Sequence, residues 1–440
     1  MSQALQNRQG AVPNLLGSRG DTIHKARAPG DAARSKTHRF DLLRTAQQLL
    51  WRSSAQANEQ HATCWCHRTT YAPQGTVPVH RAVDGSNARI GGVTTCGMVW
   101  TCPVCCAKIA EQRRLELSRA MARHIAAGGG AYLLTFTFPH DKADQLADLL
   151  KRLDKARQRF QNSRTWKGWK EEAQRVGGVT SLETSYGHNG HHPHLHMLAF
   201  TKRQAFSEGL NADPSGDLMS PVILELQSLW VGFLQRVGLC DRSQITDAMR
   251  HGLNVRGGDK AAEYIAKYGR DERWGQSAEL TRQHAKIAAG RGPNTWHYTP
   301  FQLLQLVRDG HAEFVPAWQE YVDAFAGKRM LTWSPGLKDH FGVRDITDED
   351  LAAEGRAPAP DENWVATLSH PQFVQITACA KLGALLQFVA EHGGVNNAQA
   401  QVDAWIGLEC RTPVASGEVR RRMQGMSRYT TLPPNREVRP

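Results

Sequence analysis

The sequence predicts an α+β fold. Three observations carry that expectation: helical stretches and strands occur in the same chain, two strands flank a tight turn as an antiparallel hairpin that ends in a histidine-rich strand, and a compact group of cysteines precedes both. The chain has 440 residues, enough for two or three domains and a sizeable core. Hydrophobic residues make up 40% and charged residues 22%, the balance of a soluble globular protein. The net charge of +12 suits a polyanionic partner, because Lys and Arg release counterions from phosphate. No apolar run approaches membrane-spanning length, and the N-terminus lacks the apolar core of a secretory signal. The expectation is a cytoplasmic protein with no membrane partner.

Taken in order, residues 1–38 are rich in Gly, Ala, Arg and Ser and read as a disordered basic tail. Residues 39–60 look helical, 61–106 carry the cysteines, and 107–127 form an amphipathic basic helix ended by Gly128, Gly129 and Gly130. A strand over 131–138 stops at Pro139, and a helix follows over about 142–162. Strands over 178–186 and 193–200 flank the turn GHNG, 187–190, as in a hairpin. Helices are expected over 219–237 and 258–269. The last 140 residues hold helical patches, polar linkers around 346–363 and a disordered tail from Arg411. The division this implies is 1–38 tail, 39–127 metal-binding module and basic helix, 128–340 central domain, and 341–440 helical C-terminal region.

Six of the nine cysteines fall between Cys64 and Cys106. An odd count in a long chain without a secretory signal favours thiolate metal binding in a reducing compartment over a disulfide scaffold. Cys102-Pro-Val-Cys105 is a knuckle that lets two thiolates reach one tetrahedral Zn²⁺, and Cys96 is a third ligand. The fourth is Cys66 or Cys64, with His67 a more distant option. Cys106 is set aside, because adjacent residues bind one metal poorly.

His194-Leu195-His196 places two imidazoles on one face of a strand, since alternate residues share a side. Two neighbouring imidazoles make a ready metal site. Folding back about the GHNG turn brings Glu183 roughly opposite Leu195 and His196 as a third ligand. Such mixed N/O ligation leaves positions open and suits Mg²⁺ or Mn²⁺ engaged on a phosphate. Further on, Tyr264 and Tyr268 are four apart on one helix face, with Lys260 and Lys267 on the same side. A lysine beside an attacked phosphate neutralises charge and assists deprotonation of a phenol nucleophile.

Together these pieces resemble the rolling-circle replication initiator (Rep) proteins of bacterial plasmids, of the His-hydrophobic-His endonuclease superfamily, over about residues 60–335. TCGMVWTCPVCCAKI (95–109) resembles the family's Cys-rich block and YLLTFTFPH (132–140) its first strand motif. LETSYGHNGHHPHLHMLAF (182–200) resembles its metal motif, EYIAKYG (263–269) its tyrosine motif, and LTWSPGL (331–337) a segment near the end of the conserved region.

The resemblance implies an antiparallel sheet with the histidines on a central strand, flanked by helices and preceded by a zinc-ribbon-like module. It implies that 128–340 is a nicking endonuclease domain. His194, His196 and Glu183 would hold the catalytic metal, Tyr264 would attack with Lys267 as the lysine of the Tyr-x-x-Lys pattern, and Tyr268 would be the second tyrosine. The product would be a 5′-phosphotyrosine link on origin DNA, single-stranded or extruded. Without a Walker-type loop in the chain, strand separation and synthesis would fall to a host helicase and polymerase in a bacterial cytoplasm. His192 stands where many relatives carry tryptophan and is not carried over as a ligand. A two-tyrosine single-strand transposase would have the same chemistry. A small-molecule metallohydrolase would need further ligands after the pair, and none follows in MLAFTKRQ. A non-enzymatic zinc-ribbon DNA-binding protein would leave histidines and tyrosines idle.

Overall fold

The computed structural model describes residues 29–202, 211–212, 218–257, 297–353, 362–394 and 396–410. The chain enters through α1 (Pro29–Leu50), and after two short turns come β1 (Val77–Ala82) and β2 (Ala88–Ile90). The helix thus starts earlier than 39 and ends before 60. Beyond Leu50 the chain folds back, because the Gln60 carboxamide bonds both the Arg52 N–H and its carbonyl, 2.9 and 2.5 Å. α2 (Pro103–Ala126) has proline at its first position and Cys102 as its cap. It leads into β3 (Gly130–Phe136), α3 (Leu146–Asn162), α4 (Arg164–Glu172), β4 (Arg175–Gly187) and β5 (Gly190–Thr201).

A small hairpin, β6 (Asn211–Ala212) and β7 (Leu218–Met219), precedes α5 (Pro221–Arg236), α6 (Ile245–His251) and β8 (Leu253–Gly257). Residues 297–353 form β9 (His297–Tyr298), α7 (Pro300–Arg308), α8 (Val315–Phe325), β10 (Leu331–Trp333), α9 (Leu337–His340) and α10 (Asp348–Ala353). Beyond them lie β11 (Glu362–Leu368), α11 (His370–Ala378), α12 (Leu382–His392) and α13 (Ala398–Glu409).

The fold is α+β. The larger sheet is antiparallel in the order β10-β4-β5-β3-β8, with β9 added to the end of β4. Alternation along its strands sorts the side chains onto two faces. Leu134, Phe136, Leu195, Met197 and Val255 bury beneath α3, α4 and α5, whose Phe160, Trp166 and Trp230 fill that core. The apolar stripe of α3 (Leu146, Leu149, Leu150, Leu153, Ala156) recurs at three- and four-residue intervals, as an amphipathic helix requires. On the opposite face Leu133, Val179, Leu198 and Phe200 pack under Leu117, Ala120 and Met121 of α2 and under Leu337 and Phe341. That cover spans only part of the face; His194, His196 and Glu183 lie further along the same strands.

The smaller sheet has the order β11-β1-β2. Its central strand is N-terminal, and one neighbour comes from the far end of the chain, pairing Val77 with Leu368. α12 packs on α1, where the Thr37 hydroxyl donates to the Gly383 carbonyl at 3.0 Å. Phe373, Leu385 and Val389 therefore share one core with Phe40, Leu42, Cys66 and Cys102. Residues 362–410 are built into the cysteine-bearing module. Without β11, strand β1 would present an unpaired edge.

Among the described residues no single helix is long and apolar enough to cross a membrane. The bent pair α11–α12 is apolar as a unit, and its Phe373, Ile376, Leu385 and Leu386 are buried in that core.

Candidate metal centres

The hairpin β4–β5 closes with Gly187 paired to Gly190, so His188 and Asn189 alone form the turn. Gly190 sits at φ +81°, a conformation side chains oppose. This closure pairs Glu183 with His194 and Ser181 with His196. The sequence placed Glu183 opposite Leu195 and His196. The register differs by one residue from the first of these, and that step decides the geometry, because direct cross-strand partners share a face.

The three side chains converge. His194 Nε2 lies 3.5 Å and His196 Nε2 3.6 Å from Glu183 Oε2, and the two rings meet edge to face with centroids 4.9 Å apart. All three ligand atoms fall within 4.8 Å of one another, a group that can hold a metal ion. Neighbouring groups set the rings. His194 Nδ1 donates to the His192 carbonyl at 3.1 Å, which fixes the proton on Nδ1 and turns Nε2 toward Glu183. His196 Nδ1 lies 2.9 Å from the Thr135 hydroxyl on the neighbouring strand β3. Burial alone would raise the Glu183 carboxyl, but the hydrogen bonds and charges of His194 and His196 outweigh it and hold it down at about 2. Burial opposes charge on His194, and Glu183 more than compensates, raising it.

Thr135 was not singled out in the sequence. Its strand was recognised, but its place beside His196 comes from the β3–β5 pairing. His192, on the same face, stays outside the trio; its Nδ1 lies 3.1 Å from that of His140, and burial, then the charge of His194, pushes it down to about 3. His191 turns to the other face, 3.0 Å from the Ala317 carbonyl.

The second centre joins Cys66, Cys96, Cys102 and Cys105, whose sulfurs lie within 4.8 Å of one another. Cys66 and Cys105 are 3.6 Å apart, Cys96 and Cys105 3.7 Å, Cys66 and Cys102 3.6 Å. Those separations exceed a disulfide bond by far. Four sulfurs bound at about 2.3 Å around a tetrahedral ion would be about 3.8 Å apart, close to what is seen. The Cys105 N–H points at Cys102 Sγ, 3.4 Å away, at the first turn of α2. Hydrogen bonds from Cys102, Cys66 and Cys96 hold Cys105 well below the usual thiol range, while burial raises Cys102. Of the two alternatives for the fourth ligand, Cys66 joins the group. Cys64 turns away toward the Gln47 carbonyl at 3.8 Å, because the short helix Ala62–Trp65 separates the directions of the two thiols.

The tyrosine motif, with Tyr264, Lys267 and Tyr268, lies outside the described residues.

No protein-family model matches the chain, and no solved structure matches it. The chain is 28% identical over 334 residues to the protein named Protein rep of Streptomyces lividans, covering 63% of this chain and 71% of that protein. It is also 29% identical over 151 residues to the Neomycin resistance protein of Streptomyces cyanogenus, across 29% of this chain and 34% of that protein. The chain thus matches about a third of the second relative's length.

Proposed function

We propose that this chain is a plasmid replication initiator that nicks and rejoins origin DNA through a tyrosine. The observation that carries the reading is the Glu183–His194–His196 trio, three ligands on one sheet face with their rings oriented by Thr135 and the His192 carbonyl. Similarity to a protein named rep, over 71% of that protein, agrees with a role in replication. One carboxylate and two imidazoles suit Mg²⁺ or Mn²⁺, and Cys66, Cys96, Cys102 and Cys105 suit a structural Zn²⁺. When bound to the trio, the divalent ion supplies polarisation of a phosphate oxygen.

The chain's own groups carry the rest. The Tyr264 oxygen attacks the scissile phosphorus and gives up its phenolic proton; the bond to the 3′ oxygen breaks, that oxygen takes up a proton, and the 5′ phosphate stays on the tyrosine. Lys267 offsets charge at the phosphate. Tyr268 cuts the regenerated site, and attack by the free 3′ hydroxyl on the first phosphotyrosine closes the circle. Host helicase and polymerase would separate and extend the strands.

The test is incubation of the purified protein with labelled single-stranded origin DNA and Mn²⁺, followed by a denaturing gel. A labelled protein band that survives detergent, and is lost in Tyr264→Phe/Tyr268→Phe and in His194→Ala, is the expected result. DNA binding without any adduct or cleavage would overturn the reading in favour of a DNA-binding role alone.

A further inference from the structure

Two imidazoles beside the trio belong to neither metal centre. His140 follows Pro139, just past the end of β3, and His192 sits on β5 opposite Ser185, two residues before His194. Their Nδ1 atoms face each other at 3.1 Å, with ring centroids 4.6 Å apart and planes at 60°. Both residues are partly buried, and the ring of the buried Phe138 lies nearly parallel to His192, 6.5 Å away. The row of rings continues into the trio, with centroids 5.4 Å apart from His192 to His194 and 4.9 Å from His194 to His196.

The spacing of the two Nδ1 atoms is that of two ligands on one ion. Nitrogens bound at about 2.0–2.1 Å stand about 2.9 Å apart at a right angle and about 3.3 Å apart at a tetrahedral one. The observed 3.1 Å falls between. With both rings neutral, one hydrogen atom bridges the two nitrogens, donated by one and accepted by the other. A metal ion takes its place when the donating ring moves that proton to its Nε2. Each Nδ1 then offers a lone pair, and no proton is lost overall. The surroundings supply negative charge as well. Asp141 and Asp144 are close enough for their charges to bear on His140, and Asp144 Oδ2 is held there by the Asp141 N–H at 2.8 Å. The charge of His297 bears on both rings, which puts a third imidazole in the neighbourhood.

We propose that His140 and His192 form a further metal site on this face, for a transition ion of the Ni²⁺ or Zn²⁺ class. Imidazole nitrogens suit such ions, whereas Mg²⁺ and Mn²⁺ favour oxygen. Among the described residues no third His, Cys, Asp or Glu completes a ligand group with this pair, so water or a phosphate oxygen fills the remaining positions. The trio contains a carboxylate and the pair does not, and the two sites therefore select differently. The assignment stands apart from the nicking proposal, because bound metal is its readout. Under that proposal the second ion sets another positive charge beside the scissile phosphate.

The probe is Ni²⁺, added by equilibrium dialysis to the untagged, zinc-loaded full chain, with nickel and zinc counted by elemental analysis. Nickel also enters the trio, since a given site binds it more tightly than Mn²⁺. The wild type should hold about two Ni²⁺ per chain with its zinc retained. His140→Gln/His192→Gln should hold about one, and so should Glu183→Gln/His196→Gln. His140→Gln alone changes a residue outside any strand and should also lose the second ion, with circular dichroism as the check on folding. Two Ni²⁺ in both His140 variants would overturn the proposal, as would a single ion in the wild type that survives His140→Gln/His192→Gln. A single wild-type ion that survives Glu183→Gln/His196→Gln and is lost on His140→Gln would sink the trio as a metal site and leave the pair standing. Absence of bound nickel in the wild type would overturn both.

Discussion

Thr135→Val tests whether strand pairing prepares the histidine pair for a metal. Valine keeps the volume of threonine and removes the hydroxyl that lies 2.9 Å from His196 Nδ1. The His196 side chain is 1% exposed, so bulk water does not replace the lost partner. A buried polar atom that loses its hydrogen bond costs about 1–3 kcal/mol, which is roughly a five- to 150-fold change in an equilibrium constant. If that cost falls on the ligating geometry, Mn²⁺ should bind about ten- to a hundredfold more weakly, the range found for outer partners of metal ligands. Free Mn²⁺ measured by electron paramagnetic resonance during a titration reads this directly, with circular dichroism as the check on folding. Thr135→Ser keeps the hydroxyl and should bind nearly as the wild type. Ser181→Ala should change affinity less than about threefold, because its hydroxyl sits 3.5 Å from Glu183 Oε1, at the limit of a hydrogen bond. A folded Thr135→Val that binds Mn²⁺ with wild-type affinity would refute the argument that this hydroxyl sets the ring.

Gly190→Ala should destabilise the chain by about 1–2 kcal/mol in denaturant titrations, since φ is +81° and the new Cβ would meet Lys142 Cα at 3.2 Å; an unchanged midpoint would show that the turn relaxes freely. Cys64→Ser should leave the zinc content of purified protein unaltered, because its thiol faces the Gln47 carbonyl; loss of zinc would put Cys64 in the centre. Burial, aided by the Arg308 charge, pushes His38 down to about 4 from an ordinary value of 6.5. The unfolded chain then gains a proton before the folded one, so stability should be full above pH 6.5 and decline as pH falls toward 4, by up to about 3 kcal/mol. In His38→Gln the difference between melts at pH 7 and pH 5 should shrink; an equal difference would show that other groups set the slope.

The parts of the site that were legible in sequence are those with short-range codes. Strict alternation put His194 and His196 on one face, and two glycines bracketing His188-Asn189 marked the hairpin. The register was harder. Counting the closure one residue off sets Glu183 opposite Leu195, which would turn the carboxylate to the buried face; Gly187 and Gly190 as the closing pair are what bring it to His194. Cys66 and Cys64 were indistinguishable by spacing, and only the turn over Ala62–Trp65 sends one thiol into the group and the other away. Thr135 was invisible as a partner because it lies 61 residues from His196 and meets it only through the β3–β5 ladder. For the same reason, nothing local in 362–368 announces that this strand will complete a sheet begun at Val77.

One helix joins the two candidate metal centres. Cys102 caps α2 and Cys105 lies in its first turn, while Leu117 and Met121 of the same helix pack on Leu198 and Phe200, the strand neighbours of His196. Whether loss of the cysteine centre reaches the histidines depends on where that helix is held. Arg113 is bound to Asp348 at 2.8 Å and to the Ile346 carbonyl at 2.7 Å. Arg123 donates to the Phe341 carbonyl at 2.6 Å, and His124 Nε2 lies 2.9 Å from the Thr201 carbonyl. These anchors hold α2 beyond its first turns to the 341–348 segment and to the end of β5, independently of the thiols. Cys105→Ser should therefore abolish zinc binding and lower the melting temperature by roughly 5 °C or more. Mn²⁺ affinity at Glu183, His194 and His196 should stay within about threefold of the wild type, since only the first turns of the helix are released. Loss of Mn²⁺ binding together with zinc, in protein that keeps its circular dichroism spectrum, would mean that α2 moves as one rigid lever and that Arg113, Arg123 and His124 do not hold it.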